Sequence, residues 1–355
     1  MTLLLKTDPY NPDPGVLAKA AEILLSGGLV AFPTETVYGL GAVVFNEDAV
    51  KKIFEVKRRP PDNPLIIHIS SMSMLSEVAV KIPEKAYKLM KVCWPGPLTI
   101  ILPRHPSVPR VVTGGLDTVA VRMPAHPVAL GLVSGVGMPI AAPSANLAGK
   151  PSPTTAEHVI RDLYGKIDAI IDAGETIYGI ESTIVNILEE PPVLLRPGAY
   201  AVEDIERVLG EKISIPEFAR GFTEAKVALA PGMRYRHYAP DTPLVLVDPV
   251  SGNLDNVVIT VKTKALEYIG RGLKPCLIVT RETVSAYSSL AQGTIVVEIG
   301  SRKNLFEIAR NLFKTLRSVD DLDCDVAIIE GVEERGLGLA IMNRLRKASK
   351  TVIRA

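Results

Sequence analysis

The stretch Leu-Val-Ala-Phe-Pro-Thr-Glu-Thr-Val-Tyr-Gly-Leu-Gly occupies residues 29–41. Its four leading apolar residues predict a short buried strand that runs into Pro33. Hydroxyl groups and glycines follow, and such a turn offers backbone N–H and hydroxyl groups to an anion or a small polar ligand. An ordinary strand-to-helix loop has a similar composition, so the stretch alone leaves both interpretations open.

Short strand-like and helix-like stretches alternate on both sides of this segment. Asp13 and Pro14 predict the start of a helix that runs to Gly27 and Gly28. A second helix is predicted at 47–57, where apolar residues recur on successive turns. Further strands are predicted at 2–6, 65–69, 98–102, 118–122, 140–142, 168–171, 182–187 and 193–195. Short strands of mixed spacing with helices between them favour an α/β fold with a mixed sheet.

From Pro243 onward, strand-like and helix-like stretches alternate regularly. Strands are predicted at 244–247, 276–280, 294–299, 326–330 and 351–353, and helices at 265–270, 283–290, 304–316 and 339–348. Regular β-α alternation predicts a small parallel, doubly wound sheet. Because 355 residues exceed the usual size of one core, we expect two domains, 1–216 and 243–355.

Residues 217–242 form the predicted connection between these domains. The segment contains Ala-Pro-Gly-Met-Arg-Tyr-Arg-His-Tyr-Ala-Pro at 230–240, which is a poor helix and a poor central strand. Long irregular connections in compact proteins are usually functional. We therefore expect 217–242 to be a linker that serves as a lid over a site.

Composition excludes several classes of protein. The net charge of +1 argues against nucleic-acid binding as the main role, although a local basic cleft for a phosphate-bearing small molecule is compatible with it. The three isolated cysteines indicate neither a zinc site nor a disulfide framework. With no signal segment and no apolar run of membrane-spanning length, we expect a cytoplasmic protein without a membrane segment.

Two groups of cations have competing explanations. Lys57, Arg58 and Arg59 end a helix before Pro60, so they either complement the helix dipole or clamp a phosphate. Arg122 lies in an otherwise apolar strand, where a charge needs a partner. A structural salt bridge would satisfy it, and so would the carboxylate of an amino-acid substrate.

Polar loops follow other predicted strands, at 142–154, 179–185 and 194–198. The carboxyl ends of strands in α/β sheets are the usual ligand sites. The sequence lacks a P-loop and a G-x-G-x-x-G motif, and its five histidines show no metal-ligand spacing. Any use of ATP therefore requires a site of another kind.

Taken together, these motifs resemble the YrdC-type domain. The motifs are Thr-Glu-Thr-Val-Tyr-Gly-Leu at 34–40, Lys-x-Arg at 57–59 with Asn-Pro-Leu at 63–65, Ser-x-Asn at 144–146, Glu-Ser-Thr-Ile-Val at 181–185 and Arg-Pro-Gly at 196–198. With the linker and the second α/β domain, the chain resembles the two-domain threonylcarbamoyl-AMP synthase family over essentially its whole length. The resemblance implies a YrdC-like twisted mixed sheet with helices, followed by a Rossmann-like parallel doubly wound sheet.

The resemblance also implies a reaction. Members of this family condense L-threonine, bicarbonate and ATP, with Mg²⁺ accompanying the nucleotide, to give threonylcarbamoyl-AMP and pyrophosphate. Downstream transfer machinery then modifies adenosine 37 of tRNAs that read ANN codons. The implied catalytic residues are Lys57 and Arg59.

The resemblance further assigns binding residues, without any metal ligand. The residues expected to bind L-threonine are Thr36, His68, Arg122, Ala142 and Ser182. The residues expected to bind ATP are Lys57, Arg59, Asn63, Thr118, Ser144, Asn146, Ser152, Arg196, Arg234 and His237.

Three alternatives remain open from the sequence. YrdC-like domains also occur in carbamoyltransferases that mature hydrogenases, although their zinc-finger and acylphosphatase segments are not visible here. A module that binds structured RNA is a second alternative, and weak RNA contact is compatible with the composition. The third is a separate anion site at Gly-Leu-Gly-Leu-Ala, 336–340, for which a tight turn with helix packing is the favoured explanation.

Overall fold

The computed structural model describes residues 1–225, 228–233, 238–250, 252–290 and 293–355. The chain divides into two compact units. Unit 1 comprises Met1–Ala148, Ser152–Ala219 and the described residues from Thr223 to Met233. Unit 2 comprises Gly149–Pro151, Arg220–Phe222 and the described residues from Tyr238 to Ala355.

Within the described residues, unit 1 contains ten strands and seven helices. The strands are β1 (Leu3–Lys6), β2 (Val30–Pro33), β3 (Tyr38–Val43), β4 (Ile66–His68), β5 (Leu98–Pro103), β6 (Thr118–Arg122), β7 (Ile140–Ala141), β8 (Ala169–Asp172), β9 (Thr183–Asn186) and β10 (Val193–Arg196). The helices are α1 (Pro14–Leu25), α2 (Glu47–Lys57), α3 (Leu75–Val78), α4 (Glu84–Cys93), α5 (Pro127–Val136), α6 (Ala156–Leu163) and α7 (Val202–Leu209). An eighth helix, α8 (Glu217–Arg220), contains the point where the chain passes from unit 1 to unit 2.

The ten strands form one sheet in the order β1-β8-β2-β3-β7-β4-β6-β5-β9-β10. Parallel pairs such as β4 with β6 stand beside antiparallel pairs such as β5 with β6. The sheet is therefore mixed, and the mixed α/β fold predicted for the first half is confirmed.

Helix α2 shows how local sequence positions the Lys-x-Arg motif. The helix begins at Glu47 because the Asn46 side chain accepts a hydrogen bond from the backbone N–H of Ala49 at 3.0 Å. It ends at Lys57 because Arg58 adopts a left-handed conformation, with φ of 53°. The bounds match the prediction, and Lys57 is buried in the last turn.

Two features of unit 1 differ from the predictions because of close packing. The loop predicted to follow Pro33 is short, since β3 begins at Tyr38 and pairs antiparallel with β2. A Cβ atom on Gly41 would lie 2.9 Å from the Ile140 and Phe32 side chains, so glycine is required in this strand. Helix α5 was not predicted, and its Gly131 permits close approach to Leu17 of α1.

Unit 2 contains a five-stranded parallel sheet. Its strands are β11 (Leu244–Asp248), β12 (Pro275–Thr280), β13 (Ile295–Gly300), β14 (Val326–Glu330) and β15 (Thr351–Arg354), in the order β13-β12-β14-β11-β15. Its α-helices are α9 (Leu254–Gly270), α10 (Leu305–Ser318) and α11 (Leu337–Ala348), with 3₁₀ helices at Val284–Leu290 and Val319–Asp321. Every strand pairing is parallel among the described residues, which confirms the predicted doubly wound sheet.

Tertiary packing overrode two helix predictions in unit 2. Helix α9 begins at Leu254, well before the predicted start at 265, and includes the β-branched run 257–261. Such residues lower helix propensity, but Val257 and Val261 are buried in the core of the unit and stabilise the helix there. The helix predicted at 283–290 is a 3₁₀ helix from Val284.

The glycines at 336–340 also have a structural explanation. A Cβ atom on Gly338 would lie 1.8 Å from the carbonyl oxygen of Glu333, so a tight turn into α11 requires glycine there. The turn interpretation is thereby favoured over an anion site. No helix in the described part of the chain is both long enough and apolar enough to span a membrane.

Candidate active site

Strands β4 and β6 bring together the residues predicted to bind an amino acid. His68 and Arg122 are directly paired at the ends of these parallel strands, so their side chains emerge on the same face. The Arg122 Nη1 atom donates to the Thr36 Oγ1 atom at 2.9 Å, and its Nε atom donates to the carbonyl of Gly96 at 3.2 Å. Three predicted residues, Thr36, His68 and Arg122, therefore form one buried cluster.

A buried carboxylate completes the cluster. The Glu35 Oε1 atom lies 2.6 Å from the Arg122 Nη2 atom, and both side chains are at most 4% exposed. Glu35 is thus the partner that the charge of Arg122 requires in its apolar strand. The pair is the structural salt bridge that the sequence left open as one of two alternatives. The two atoms are close but are not aligned as an N–H···O hydrogen bond.

The histidines near this pair are uncharged at neutral pH. Burial, together with the nearby Arg122 guanidinium, lowers the pKa of His68 to about 3. Burial also lowers the pKa of His126, although the Glu35 carboxylate opposes the change. The two histidines therefore add no formal charge to the cluster.

Ser182 and Arg196 connect the predicted threonine side with the predicted nucleotide side. The Arg196 Nη2 atom donates to the backbone carbonyl of Ser182 at 2.9 Å and to its Oγ atom at 3.2 Å. The Ser182 hydroxyl also shares a hydrogen bond with the Thr99 hydroxyl at 2.7 Å. Both predicted residues are buried, and their side chains are held in fixed positions.

Lys57 joins two of the sequence motifs physically. Its Nζ atom donates to the backbone carbonyls of Ser144 and Asn146, so the Lys-x-Arg motif lies directly against the Ser-x-Asn loop. Ser144 in turn bridges to Gly39 of β3. The side chain of Lys57 is 2% exposed, which is unusual for a lysine and indicates a role that requires a fixed cation.

Arg59 holds the turn that follows helix α2. Its Nη2 atom donates to the Asn63 Oδ1 atom at 2.6 Å and to the carbonyl of Pro64 at 2.8 Å, while Nε donates to the carbonyl of Asn63 at 3.0 Å. Asn63 is 1% exposed. The guanidinium is half-buried, so this predicted pair forms a rigid, partly accessible corner of the site.

The other predicted residues lie in the same unit. Ala142 is buried, and its N–H donates to the carbonyl of Ile66 at 2.9 Å, on the same strand as His68. Ser152 donates to the buried carboxylate of Glu181 at 2.7 Å. Thr118 is half-buried at the start of β6, and we see no direct contact that ties it to the other predicted residues.

The described part of the connecting segment packs against this sheet. Ala225, Ala230 and Met233 share an apolar cluster with Ile66 and Ala120, which lie on β4 and β6 near His68 and Arg122. The Arg196 Nη1 atom also donates to the carbonyl of Pro231 at 3.4 Å. Arg234 and His237 lie outside the described residues.

Sequence reasoning assigned no role to three buried residues of this region, Glu35, Thr99 and Glu181. Glu35 and Glu181 lie inside motifs that were recognised, each next to a residue that was assigned a role. An acidic residue within an otherwise apolar or hydroxyl-rich stretch was the available signal, but without the fold its orientation was unknown.

Comparisons of the sequence with known proteins point to one family. Residues 22–198 match a family described as telomere recombination, the Sua5, YciO and YrdC domain, and residues 200–350 match the C-terminal domain of threonylcarbamoyl-AMP synthase. The chain is 53% identical over 331 residues to threonylcarbamoyl-AMP synthase of Pyrococcus abyssi, covering 93% of each chain. This chain belongs to the threonylcarbamoyl-AMP synthase family. The resemblance seen in the motifs is confirmed.

Other relatives support the same family over its full length. The threonylcarbamoyl-AMP synthase of Bacillus subtilis is 46% identical over 345 residues, covering 97% of this chain and 95% of the relative. The crystal structure of P. abyssi Sua5 complexed with L-threonine superposes with a TM-score of 0.92 and 49% identity over all of both chains. Membership of this family decides against the hydrogenase-maturing carbamoyltransferases.

Proposed function

We propose that this chain condenses L-threonine, bicarbonate and ATP to threonylcarbamoyl-AMP and pyrophosphate. The observation that carries the proposal is the continuous arrangement of two recognition regions in one unit. The buried Arg122 cluster suits an amino acid, and Lys57 with the 144–146 loop suits a nucleotide. Arg196 and Ser182 connect them.

The Arg122 region is proposed to hold L-threonine. Arg122 uses one N–H for Thr36 and one for Gly96, which leaves further donors for a carboxylate. Neutral His68 and the hydroxyls of Thr36 and Ser182 offer hydrogen-bonding groups for the substrate's other polar atoms. The buried backbone at Ala142 completes the proposed threonine site.

The Lys57 region is proposed to hold ATP. Lys57 and Arg59 would stabilise negative charge on the α-phosphate and the departing pyrophosphate, since catalysis of nucleotidyl transfer consists mostly of positioning and charge stabilisation. Hydrogen bonds from the protein to phosphate or ribose would come from polar side chains in the same unit. These are Asn63, Thr118, Ser144, Asn146, Ser152 and Arg196.

In the proposed reaction the carbamate of threonine attacks the α-phosphorus of ATP and pyrophosphate leaves. Mg²⁺ is expected to enter with ATP and to neutralise phosphate charge. Among the described residues there is no group of three or more His, Cys, Asp or Glu side chains that could hold a metal. Because Mg²⁺ usually keeps several waters and binds substrate phosphates, the triphosphate would supply most of its ligands.

The connecting segment is proposed to act as a lid. A mixed carbamic–phosphoric anhydride is labile in water, so exclusion of solvent would protect it. The contacts of Ala230, Pro231 and Met233 with the sheet place the segment's described part beside Arg196. Arg234 and His237 are proposed to reach the nucleotide, and replacement of 230–240 by a neutral flexible linker should abolish synthesis or increase release of hydrolysed product.

The product is proposed to pass to the machinery that modifies adenosine 37 of tRNAs reading ANN codons, with at most weak RNA contact by this chain. A cytoplasmic location fits that role. The near-neutral net charge is consistent with a small-molecule enzyme whose product is used by a partner.

Pyrophosphate release by purified protein tests the proposal. Release should require ATP, threonine and bicarbonate together, and Lys57→Ala and Arg59→Ala should suppress it. Release that is indifferent to threonine would show that the amino-acid substrate is wrong. If no release occurs under any condition, the RNA-binding alternative becomes the better explanation.

A further inference from the structure

Glu35 is a buried acidic residue to which the proposed roles above give no task. It lies in the four-residue turn between β2 and β3, where its backbone carbonyl accepts a hydrogen bond from the N–H of Tyr178 at 2.9 Å. Its side chain is 2% exposed. The turn and this backbone bond fix the carboxylate inside the Arg122 cluster.

The cluster contains polar atoms whose hydrogen-bonding capacity is not used. The Glu35 Oε1 and Arg122 Nη2 atoms face each other at 2.6 Å without the alignment of a hydrogen bond. The second Glu35 oxygen and the Nδ1 atom of His68 are also buried and make no hydrogen bond to any described residue. A buried polar group without a hydrogen bond is unfavourable, and more so when it is charged. Several such atoms on adjacent side chains indicate a place for a ligand that carries both donors and acceptors.

The chemistry of these atoms fits a zwitterion. An ionised carboxylate only accepts hydrogen bonds, and a guanidinium only donates them. Glu35 therefore suits an ammonium group, and Arg122 suits a carboxylate. In an α-amino acid both groups are attached to one carbon atom, so their partners must lie close together, as the 2.6 Å separation of Glu35 and Arg122 provides.

We infer that Glu35 binds the α-ammonium group of the amino-acid substrate and accepts the proton that this group loses before its nitrogen attacks bicarbonate. The inference rests on the proposed function and adds a catalytic residue to it. An ammonium nitrogen has no lone pair, so carbamate formation requires a group that removes the proton.

Formation of the carbamate from the ammonium form of threonine and bicarbonate releases one water and one proton. The ammonium transfers one proton to the Glu35 carboxylate, and the freed lone pair forms a bond to the bicarbonate carbon. The C–O bond to the bicarbonate hydroxyl breaks, and the hydroxide takes a second proton from nitrogen to leave as water. The carbamate remains, and Glu35 returns its proton to solvent before the next turnover.

Other groups that face Glu35 do not replace it in this task. Arg122 carries no acceptor, and His126 is the cap of α5, where its Nδ1 atom already accepts from the N–H of Val128 at 3.2 Å. Burial and the Glu35 charge raise the pKa of Tyr178, so its phenol stays protonated at neutral pH. His68 is a neutral neighbour of Arg122, because burial and the Arg122 guanidinium lower its pKa to about 3, so it carries no negative charge that would hold an ammonium group.

The test compares Glu35→Gln with unmodified protein in both directions of the reaction. The variant keeps the shape and an oxygen that faces Arg122 but removes the negative charge. We expect the kcat/KM of the forward reaction for threonine to fall by about 10²–10⁴-fold. The kcat/KM of the Glu35→Gln variant should rise with pH across the range in which free threonine loses its ammonium proton. The reverse reaction, formation of ATP from threonylcarbamoyl-AMP and pyrophosphate, transfers no ammonium proton and should stay near the unmodified rate.

The matched control is Asp248→Asn in unit 2. Asp248 is another buried carboxylate, 2.8 Å from the guanidinium of Arg346, and it lies in the other unit. Its variant should lose stability without a change in the ratio of forward to reverse rates. Equal losses in both directions for Glu35→Gln, with an unchanged pH profile, would show that Glu35 only positions Arg122 and would overturn the inference.

A second variant, Glu35→Asp, keeps the inference testable if Glu35→Gln does not fold. If Glu35→Gln does not fold by circular dichroism, Glu35→Asp keeps the charge but withdraws it by one methylene. A slower forward reaction with the unmodified pH profile and an unaffected reverse reaction supports the inference, whereas an unchanged forward rate overturns it. Failure of unmodified protein to release pyrophosphate with all three substrates would instead count against the proposed function itself.

Discussion

Arg196 donates to Ser182 twice, to its backbone carbonyl at 2.9 Å and to its hydroxyl at 3.2 Å. Arg196 was predicted to bind ATP and Ser182 to bind threonine. The two proposed substrate regions are therefore joined by direct hydrogen bonds between two buried residues. Occupancy of one region can influence the geometry of the other through this contact.

A double-mutant cycle tests the connection between the two regions. Arg196→Lys keeps the positive charge but removes the planar fork, and Ser182→Ala removes the hydroxyl. We expect each variant to raise the KM for both substrates, with a coupling of about 0.5–3 kcal/mol between them. Pairing Ser182→Ala with Arg207→Lys, on the exposed surface of α7, should give additive effects. Additivity of the Arg196 and Ser182 changes would contradict a functional connection.

Replacement of Lys57 should affect both stability and activity. Lys57→Met keeps the length of the side chain but leaves the carbonyls of Ser144 and Asn146 without their ammonium donor. We expect a loss of about 1–3 kcal/mol in the free energy of unfolding and loss of pyrophosphate release. The comparison is Lys51→Met on the same helix, whose side chain is half-exposed and forms surface ion pairs. Urea unfolding that shows equal small changes in both variants would contradict a structural role for Lys57.

His68 should make stability depend on pH. In the folded chain the pKa of His68 is lowered from 6.5 to about 3, so between these values the unfolded chain binds a proton that the folded chain does not. Stability therefore falls as pH decreases through this window, with a slope of up to about 1.4 kcal/mol per pH unit, and is independent of this group above it.

The variant His68→Gln should show a flatter profile in that window. His126, whose pKa is also lowered, contributes in both proteins, so the difference between the two profiles isolates His68. Urea unfolding at a series of pH values provides the measurement. Parallel profiles for the two proteins would contradict the lowered pKa.

Tyr287 should stabilise unit 2 without a role in the reaction. Its hydroxyl donates to the buried Glu330 carboxylate at 2.6 Å, and Tyr287→Phe would leave that oxygen without this donor. We expect β12 and β14 to lose about 1–3 kcal/mol of protection in amide hydrogen exchange while pyrophosphate release is unchanged. The control is Tyr268→Phe on α9, whose half-buried hydroxyl makes no hydrogen bond to a described residue. Equal protection in the two variants would contradict a stabilising role for the Tyr287 hydroxyl.

The sequence identified the candidate site residues as separate motifs but did not show how they are arranged. Lys57, Ser144 and Asn146 were recognised as separate motifs, and the structure shows one hydrogen-bonded group. Arg122 was known to need a partner, but the sequence did not show that a structural salt bridge with Glu35 is present, because that depends on which side chains the sheet brings together. Motif residues are local in sequence, whereas their contacts join positions that are far apart along the chain.

The sequence by itself determined the class of fold, because hydrophobic periodicity and the capping residues around helices such as Glu47–Lys57 are local properties. It did not determine helix α9, whose β-branched first half is stabilised by burial of Val257 and Val261. Strand β3 was missed for a related reason, since glycine alone does not indicate a strand and Gly41 is required there only because the Ile140 and Phe32 side chains approach it closely. Only the tertiary structure decided that Glu35 faces Arg122, because the orientation of a turn residue depends on the strands that enclose it.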